Sequence, residues 1–168
     1  MNIPPGLLAG LPTPCLVIDG PAADRNIARA AGHFAGKDVK LRPHFKAHKC
    51  TALMRRQIDG GNCSGVTCAT AWEAEVLADE GFDDILVANQ VIDPAGLGAL
   101  GRAAAQATVA VTVDHTAHVD ALRALAEAGG FELGILIEVD VGMGRCGVPV
   151  GSERLIPLAE AVAGAEGL

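Results

Sequence analysis

Tyrosine is absent from this chain, tryptophan occurs once and phenylalanine four times in 168 residues. So thin an aromatic complement removes the stacking platform on which single-stranded nucleic acids rest. Basic residues are outnumbered: 13 Lys and Arg against 20 Asp and Glu give a formal charge of −7. No basic run is present to neutralise phosphates, so no nucleic-acid partner is expected. Apolar runs are short as well. None approaches the roughly 18 residues that a membrane helix needs, and no membrane partner is expected. The opening Met1-Asn2-Ile3-Pro4-Pro5 has neither the charged start nor the apolar stretch of a secretory leader. The five cysteines (Cys15, Cys50, Cys63, Cys68 and Cys146) form no Cys-x-x-Cys pair. An odd count without that spacing predicts reduced thiols in a cytoplasmic protein, not a disulfide frame or a zinc ribbon.

What the chain does have is apolar content: half its residues, 30 of them alanine. That argues against disorder, and the length suffices for one domain with a real core. Short apolar runs alternate with stretches of helical spacing. Strands are predicted over 15–19, 39–44, 65–68, 84–88, 108–113 and 133–139. Helices are predicted from about 21, and over about 51–58, 71–80, 94–106, 116–128 and 152–163. Pro21 and Pro94 suit helix starts, Thr70 suits an N-cap, and Gly60-Gly61, Gly81 and Gly129-Gly130 suit helix ends. Trp72 is expected to pack its helix on the sheet. Apolar strands separated by helices predict a parallel sheet covered by helices, in an α/β fold that is either doubly wound or a (β/α)8 barrel. No linker, low-complexity tract or repeat interrupts the alternation.

In both architectures chemistry gathers at the carboxyl ends of the strands. After Leu41-Arg-Pro comes His44-Phe-Lys46-Ala-His48-Lys49-Cys50, the densest set of reactive side chains in the chain. Neighbouring cations and partial burial would lower the pKa of Lys46 and leave an amine able to attack a carbonyl. The competing readings are a solvated basic loop and a metal site. His44 and His48, with Cys50, have the spacing of a metal pair, but only on a helix, which Pro43 and the preceding strand oppose. The second cluster is Glu138-Val-Asp-Val-Gly142-Met-Gly144-Arg145-Cys-Gly147. Its Gly-x-Gly-x-x-Gly is a poor dinucleotide fingerprint, because Pro149 opposes the helix that must open there. It reads instead as a tight turn whose glycines take positive φ. Arg145 would then leave a strand end as a donor for an oxyanion or phenolate. Asn89 and Gln90 offer amides at another strand end. Asp19 and Asp140 each suit a cap or a turn brace, His115 suits a helix entry, and Cys146 beside Arg145 is the thiol with most scope for activation.

Thr13-Pro14 with residues 16–19, the run 41–49 and the run 138–148 together resemble the D-threonine aldolase / D-serine dehydratase family. These are pyridoxal-phosphate enzymes of the alanine racemase-like fold type. The likeness runs from about Pro12 to Leu168 and includes the Ala-Asn-Gln end of residues 84–90. It implies that Lys46 is the Schiff-base lysine and that Arg145 bonds the cofactor's phenolic oxygen. His44 and Asn89 are further cofactor-binding candidates. Lys-Ala-His and Gly-Met-Gly-Arg-Cys-Gly favour the aldolase branch. The resemblance therefore implies cleavage of D-threonine-like D-β-hydroxy-α-amino acids to glycine and an aldehyde. In the family a histidine on a later strand and a divalent metal assist that step.

The implied fold is the (β/α)8 barrel of the alanine racemase N-terminal domain type, truncated to about five barrel strands. A closed barrel needs eight strands and about 250 residues. Residues 1–20 are read as a lead-in segment and strand, and 21–168 as a partial barrel, with a C-terminal β domain absent. The general base, the phosphate site and the metal ligands are then expected beyond Leu168, and no metal ligand is assigned in this chain. A complete enzyme would form a homodimer. Two alternatives stay open: a D-serine dehydratase or amino-acid racemase on the same scaffold, or an inactive fragment serving as a cofactor-binding or interaction module.

Overall fold

The structure, a computed structural model, describes Gly6 and residues 8–168. Residues 1–5, read above for a leader, and Leu7 lie outside the described residues. Helix starts follow from side chains that accept the unpaired N–H groups of the first turn. At α1 (Gly20–Phe34), Asp19 accepts from Ala22 N at 2.9 Å, and Pro21 sits in the first turn where its missing N–H costs nothing. The same device opens α4 (Pro94–Ala104), where Asp93 accepts from Gly96 N at 2.8 Å. Thr70 caps α3 (Ala71–Asp79), and His115 caps α5 (Thr116–Gly129) by accepting from Ala117 N. Gly130 closes α5 in the left-handed conformation, at φ 66°. α2 (Thr51–Gly60) ends at its glycine pair.

Four strands form one parallel sheet in the order β1 (Val66–Cys68), β2 (Asp84–Val87), β3 (Thr108–Val113), β4 (Gly134–Ile137). The register aligns Val66, Ile85 and Val109 in one row, and Cys68, Val87, Val111 and Ile135 in another. Side chains alternate along a strand, so these rows share a face, and it is buried with Leu77, Leu100 and Leu122 of α3, α4 and α5. The other face carries Thr67, Leu86, Ala110, Thr112 and Leu136 and is less evenly covered; Leu136 is 43% exposed. Covered on one side by helices, this is the α/β arrangement with a parallel sheet expected of a partial barrel. No helix among the described residues is long and apolar enough to cross a membrane.

The structure corrects several expectations. Residues 15–19 join no sheet; Leu16 is 99% exposed, because no neighbouring strand lies beside this segment among the described residues. Residues 39–44 do not form a continuous strand. They make two isolated parallel bridges, Leu41 to Cys63 ahead of β1 and His44 to Thr67 within it. Pro43 lies between them and has no N–H for the ladder, although its carbonyl accepts from Thr67 N at 2.8 Å. The predicted strand 133–139 stops at Ile137, and its continuation β5 (Val139–Asp140) pairs instead with β6 (Val148–Pro149). α6 (Leu155–Ala163) starts later than expected, after a turn at residues 149–152. Trp72 is half exposed and does not pin its helix to the sheet.

Leu122→Ala, at a fully buried position of α5, is expected to destabilise the chain by about 2–5 kcal/mol in urea unfolding. Ile156→Ala, on exposed surface of α6, is expected to change it by less than about 0.5 kcal/mol.

Candidate active site

Because β1–β4 run parallel, each hands over to its loop at the same end of the sheet. The bridge from His44 to Thr67 places residues 44–50 at that end too. A 3₁₀ turn, Phe45–Ala47, follows immediately, closed by Ala47 N on His44 O and His48 N on Phe45 O. Phe45 is buried and anchors the turn, while Lys46 is exposed. The partial burial expected of Lys46 is therefore not found. His44 and His48 flank the turn and do not share a helix face. The His48 ring bonds Gln57 at 2.9 Å through Nε2 and accepts from Cys50 N at 3.1 Å. Among the described residues no group of three His, Cys, Asp or Glu side chains could hold a metal ion. The described residues thus assemble no metal site.

His44 Nδ1 accepts from Lys46 N at 3.4 Å, which requires that nitrogen to be unprotonated. Burial lowers the pKa of the imidazole, and the Lys46 ammonium lowers it further, against an opposing pull from Glu73. Glu73 was not singled out from the sequence. It is 8% exposed, accepts from Ala69 N at 2.8 Å and pairs with Lys49 Nζ at 3.0 Å. Burial pushes its carboxyl up, but the bond from Ala69, the bond from Lys49 and the Lys49 charge together hold it below the usual carboxylate range. The signal was available in Thr70-x-x-Glu73, the spacing of a capping box.

The remaining strand ends are laced together. Asn89 Nδ2 donates to Ala69 O at 3.2 Å, while its Oδ1 accepts from Gln90 N at 3.1 Å. One Asn89 amide hydrogen is left for a ligand. Gln90 Nε2 donates to Glu138 at 2.6 Å, joining the end of β2 to the end of β4 across β3. The other Glu138 oxygen accepts from Cys146 Sγ at 3.2 Å. Asp114, after β3, accepts from Gly147 N at 2.8 Å. Asp140 braces its turn as expected: its carboxylate accepts from the N–H groups of Gly142, Gly144 and Met143, which holds it below the usual carboxylate range. All three glycines of the motif have positive φ. Gly147 is required twice over, since a Cβ there would lie 2.7 Å from Asp140 N. Arg145 leaves this turn exposed to solvent. Neither it nor Lys46 enters a salt bridge among the described residues. The site therefore presents an amine, a guanidinium and an amide hydrogen at one end of the sheet, a donor set that fits an aldehyde-bearing, anionic cofactor.

The family described as "Alanine racemase, N-terminal domain" matches residues 18–168. The chain is 39% identical over 157 residues to 3-hydroxy-D-aspartate aldolase of Paracoccus denitrificans, covering 93% of this chain and 40% of that protein. It is 38% identical over 141 residues to D-threonine aldolase of an Arthrobacter species, covering 84% and 37%. The crystal structure of D-threonine aldolase from Filomicrobium marinum superposes with a TM-score of 0.87 at 38% identity, covering 94% of this chain and 42% of that one. The chain thus spans about 40% of the length of the curated relatives it matches.

The His44 ring is expected to titrate below its ordinary value of about 6.5 in an NMR pH series. A base whose pKa is lower folded than unfolded favours the folded state above the unfolded value. Its contribution is lost as the pH falls from there through the folded value. Urea midpoints are therefore expected to drop on acidification below about pH 6.5, and to drop less in His44→Gln.

Proposed function

Because the chain belongs to the alanine racemase N-terminal domain family, we propose that it is the cofactor-binding part of a pyridoxal-phosphate-dependent lyase. Its substrates are D-β-hydroxy-α-amino acids, which it cleaves between Cα and Cβ to glycine and an aldehyde. The observation that carries this reading is Lys46. Its amine stands exposed at the carboxyl end of the sheet, without an ionic partner, beside a neutral histidine. The substrate class rests on the aldolase relatives, whose names share a β-hydroxy-α-amino acid.

The bound cofactor supplies an aldehyde for amine capture and a ring that draws electrons from the breaking bond. Every other contribution belongs to the chain. Lys46 would hold the cofactor through its amine. His44, unprotonated, fixes the backbone of the turn that carries Lys46 by accepting its N–H. Arg145 would set a permanent positive charge against the cofactor's phenolic oxygen, a role its guanidinium can fill at any working pH. Asn89 offers its remaining amide hydrogen to the same ligand. Asp140 and Gly147 fix the turn from which Arg145 projects.

A chimera tests the proposal. Residues 18–168, grafted in place of the matching segment of the Filomicrobium marinum enzyme, are expected to yield glycine and acetaldehyde from D-threonine. Lys46→Ala abolishes the reaction, and Arg145→Ala lowers turnover by about 10²-fold, the usual effect of removing one electrostatic donor. Release of ammonia and 2-oxobutanoate would overturn the aldolase reading in favour of a dehydratase.

A further inference from the structure

Glu73 does more than a helix cap requires. A capping box needs the Thr70 hydroxyl on Glu73 N and the Glu73 side chain returned to the Thr70 N–H. The first bond is present at 3.2 Å and the second reaches one residue further, to Ala69 N at 2.8 Å; a glutamine would satisfy both as well as a glutamate. The second carboxylate oxygen leaves the helix and meets Lys49 Nζ at 3.0 Å. That contact joins the β1–α3 junction to the loop bearing Lys46. The carboxylate end of the pair is nine-tenths buried although the ammonium end is exposed, so the pair is screened less than one lying wholly in water.

Lys49 has a second peculiarity. Its φ is 50°, in the left-handed region that a residue with a Cβ enters at a cost. Its N–H donates to Phe45 O at 2.9 Å, closing the turn whose second residue is Lys46. The conformation that completes the Lys46 turn is therefore one that Lys49 adopts only under outside constraint, and Glu73 is the group that grips its side chain. The groups facing the Glu73 carboxylate are His44, Lys49 and the buried Cys68. Cys68 is pushed up to about 12 by burial and by Glu73, so it stays a neutral thiol and does not compete for the ammonium.

We propose that Glu73 is a positioning residue for Lys46: anchored at the β1–α3 junction, it holds Lys49 and so fixes the turn that presents the reactive amine. The inference rests on the reading of Lys46 given above, but it is tested on the cofactor-free chain, so failure to bind cofactor and failure of the clamp are told apart. Three forms of the full chain are compared: unmodified, E73Q and K49M. E73Q keeps an acceptor for Ala69 N–H and loses only the charge. K49M changes an exposed side chain and leaves the cap untouched, so it carries the test if E73Q loses its fold.

Amide hydrogen exchange at residues 46–50 is expected to accelerate about tenfold in both variants, while β1–β4 and α5 keep their protection. The His44 titration is expected to move further down in E73Q, which removes a carboxylate that favours the imidazolium. Unchanged exchange at residues 46–50 in K49M, or an unmoved His44 titration in a folded E73Q, would reduce Glu73 to a helix cap and overturn the proposal.

Discussion

Parallel pairing of β1–β4 is the constraint on which everything else at this site depends. A parallel strand cannot turn straight back on its neighbour; each must pass through a crossover before the next begins. All four strands therefore release their loops at one end, and the His44–Thr67 bridge brings residues 44–50 to that same end. The one-residue register Thr67, Leu86, Ala110, Gly134 fixes the spacing of those exits. Slipping it by one residue would turn Val66, Ile85 and Val109 from the helix-covered face to the other. The register is thus held by the same buried rows that form the core.

Charge organises the loops once the sheet has gathered them. Two buried or half-buried carboxylates, Glu73 and Glu138, each tie two separate segments. Glu73 joins the Lys46 loop to the start of α3, and Glu138 joins the end of β2 to the Arg145 turn through Gln90 and Cys146. Neither Lys46 nor Arg145 enters a salt bridge among the described residues. A site whose anions are already committed to its own framework leaves these two cations for an anionic ligand.

Much of the fold was legible in the sequence because its signals are local. Asp19, Thr70 and His115 cap the helices they were placed to cap, brace or enter, and Gly130 ends its helix in the conformation glycine favours. The turn at Gly142, Gly144 and Gly147 could be read from glycine spacing. What was misread depends on partners far along the chain. Residues 15–19 are apolar enough for a strand, but composition does not show whether a neighbour will pair with them. Pro43 breaks a ladder whose existence depends on β1. Trp72 reads as a core residue and lies half exposed. The tie from Glu73 to Lys49 and the role of Glu138 were not legible, because the partners come from other elements; Gln90 lies 48 residues from Glu138. Lys46 stood out by the density of reactive groups around it, but its exposure and its turn emerge only with the fold.

The central claim is that Lys46 is the amine that holds pyridoxal phosphate. The most direct measurement is to incubate the chain with pyridoxal phosphate, reduce it with borohydride and map the modified peptide by mass spectrometry. One pyridoxyl label is expected, on Lys46. A label spread over Lys37, Lys40 and Lys49, or confined to any of them, would contradict it.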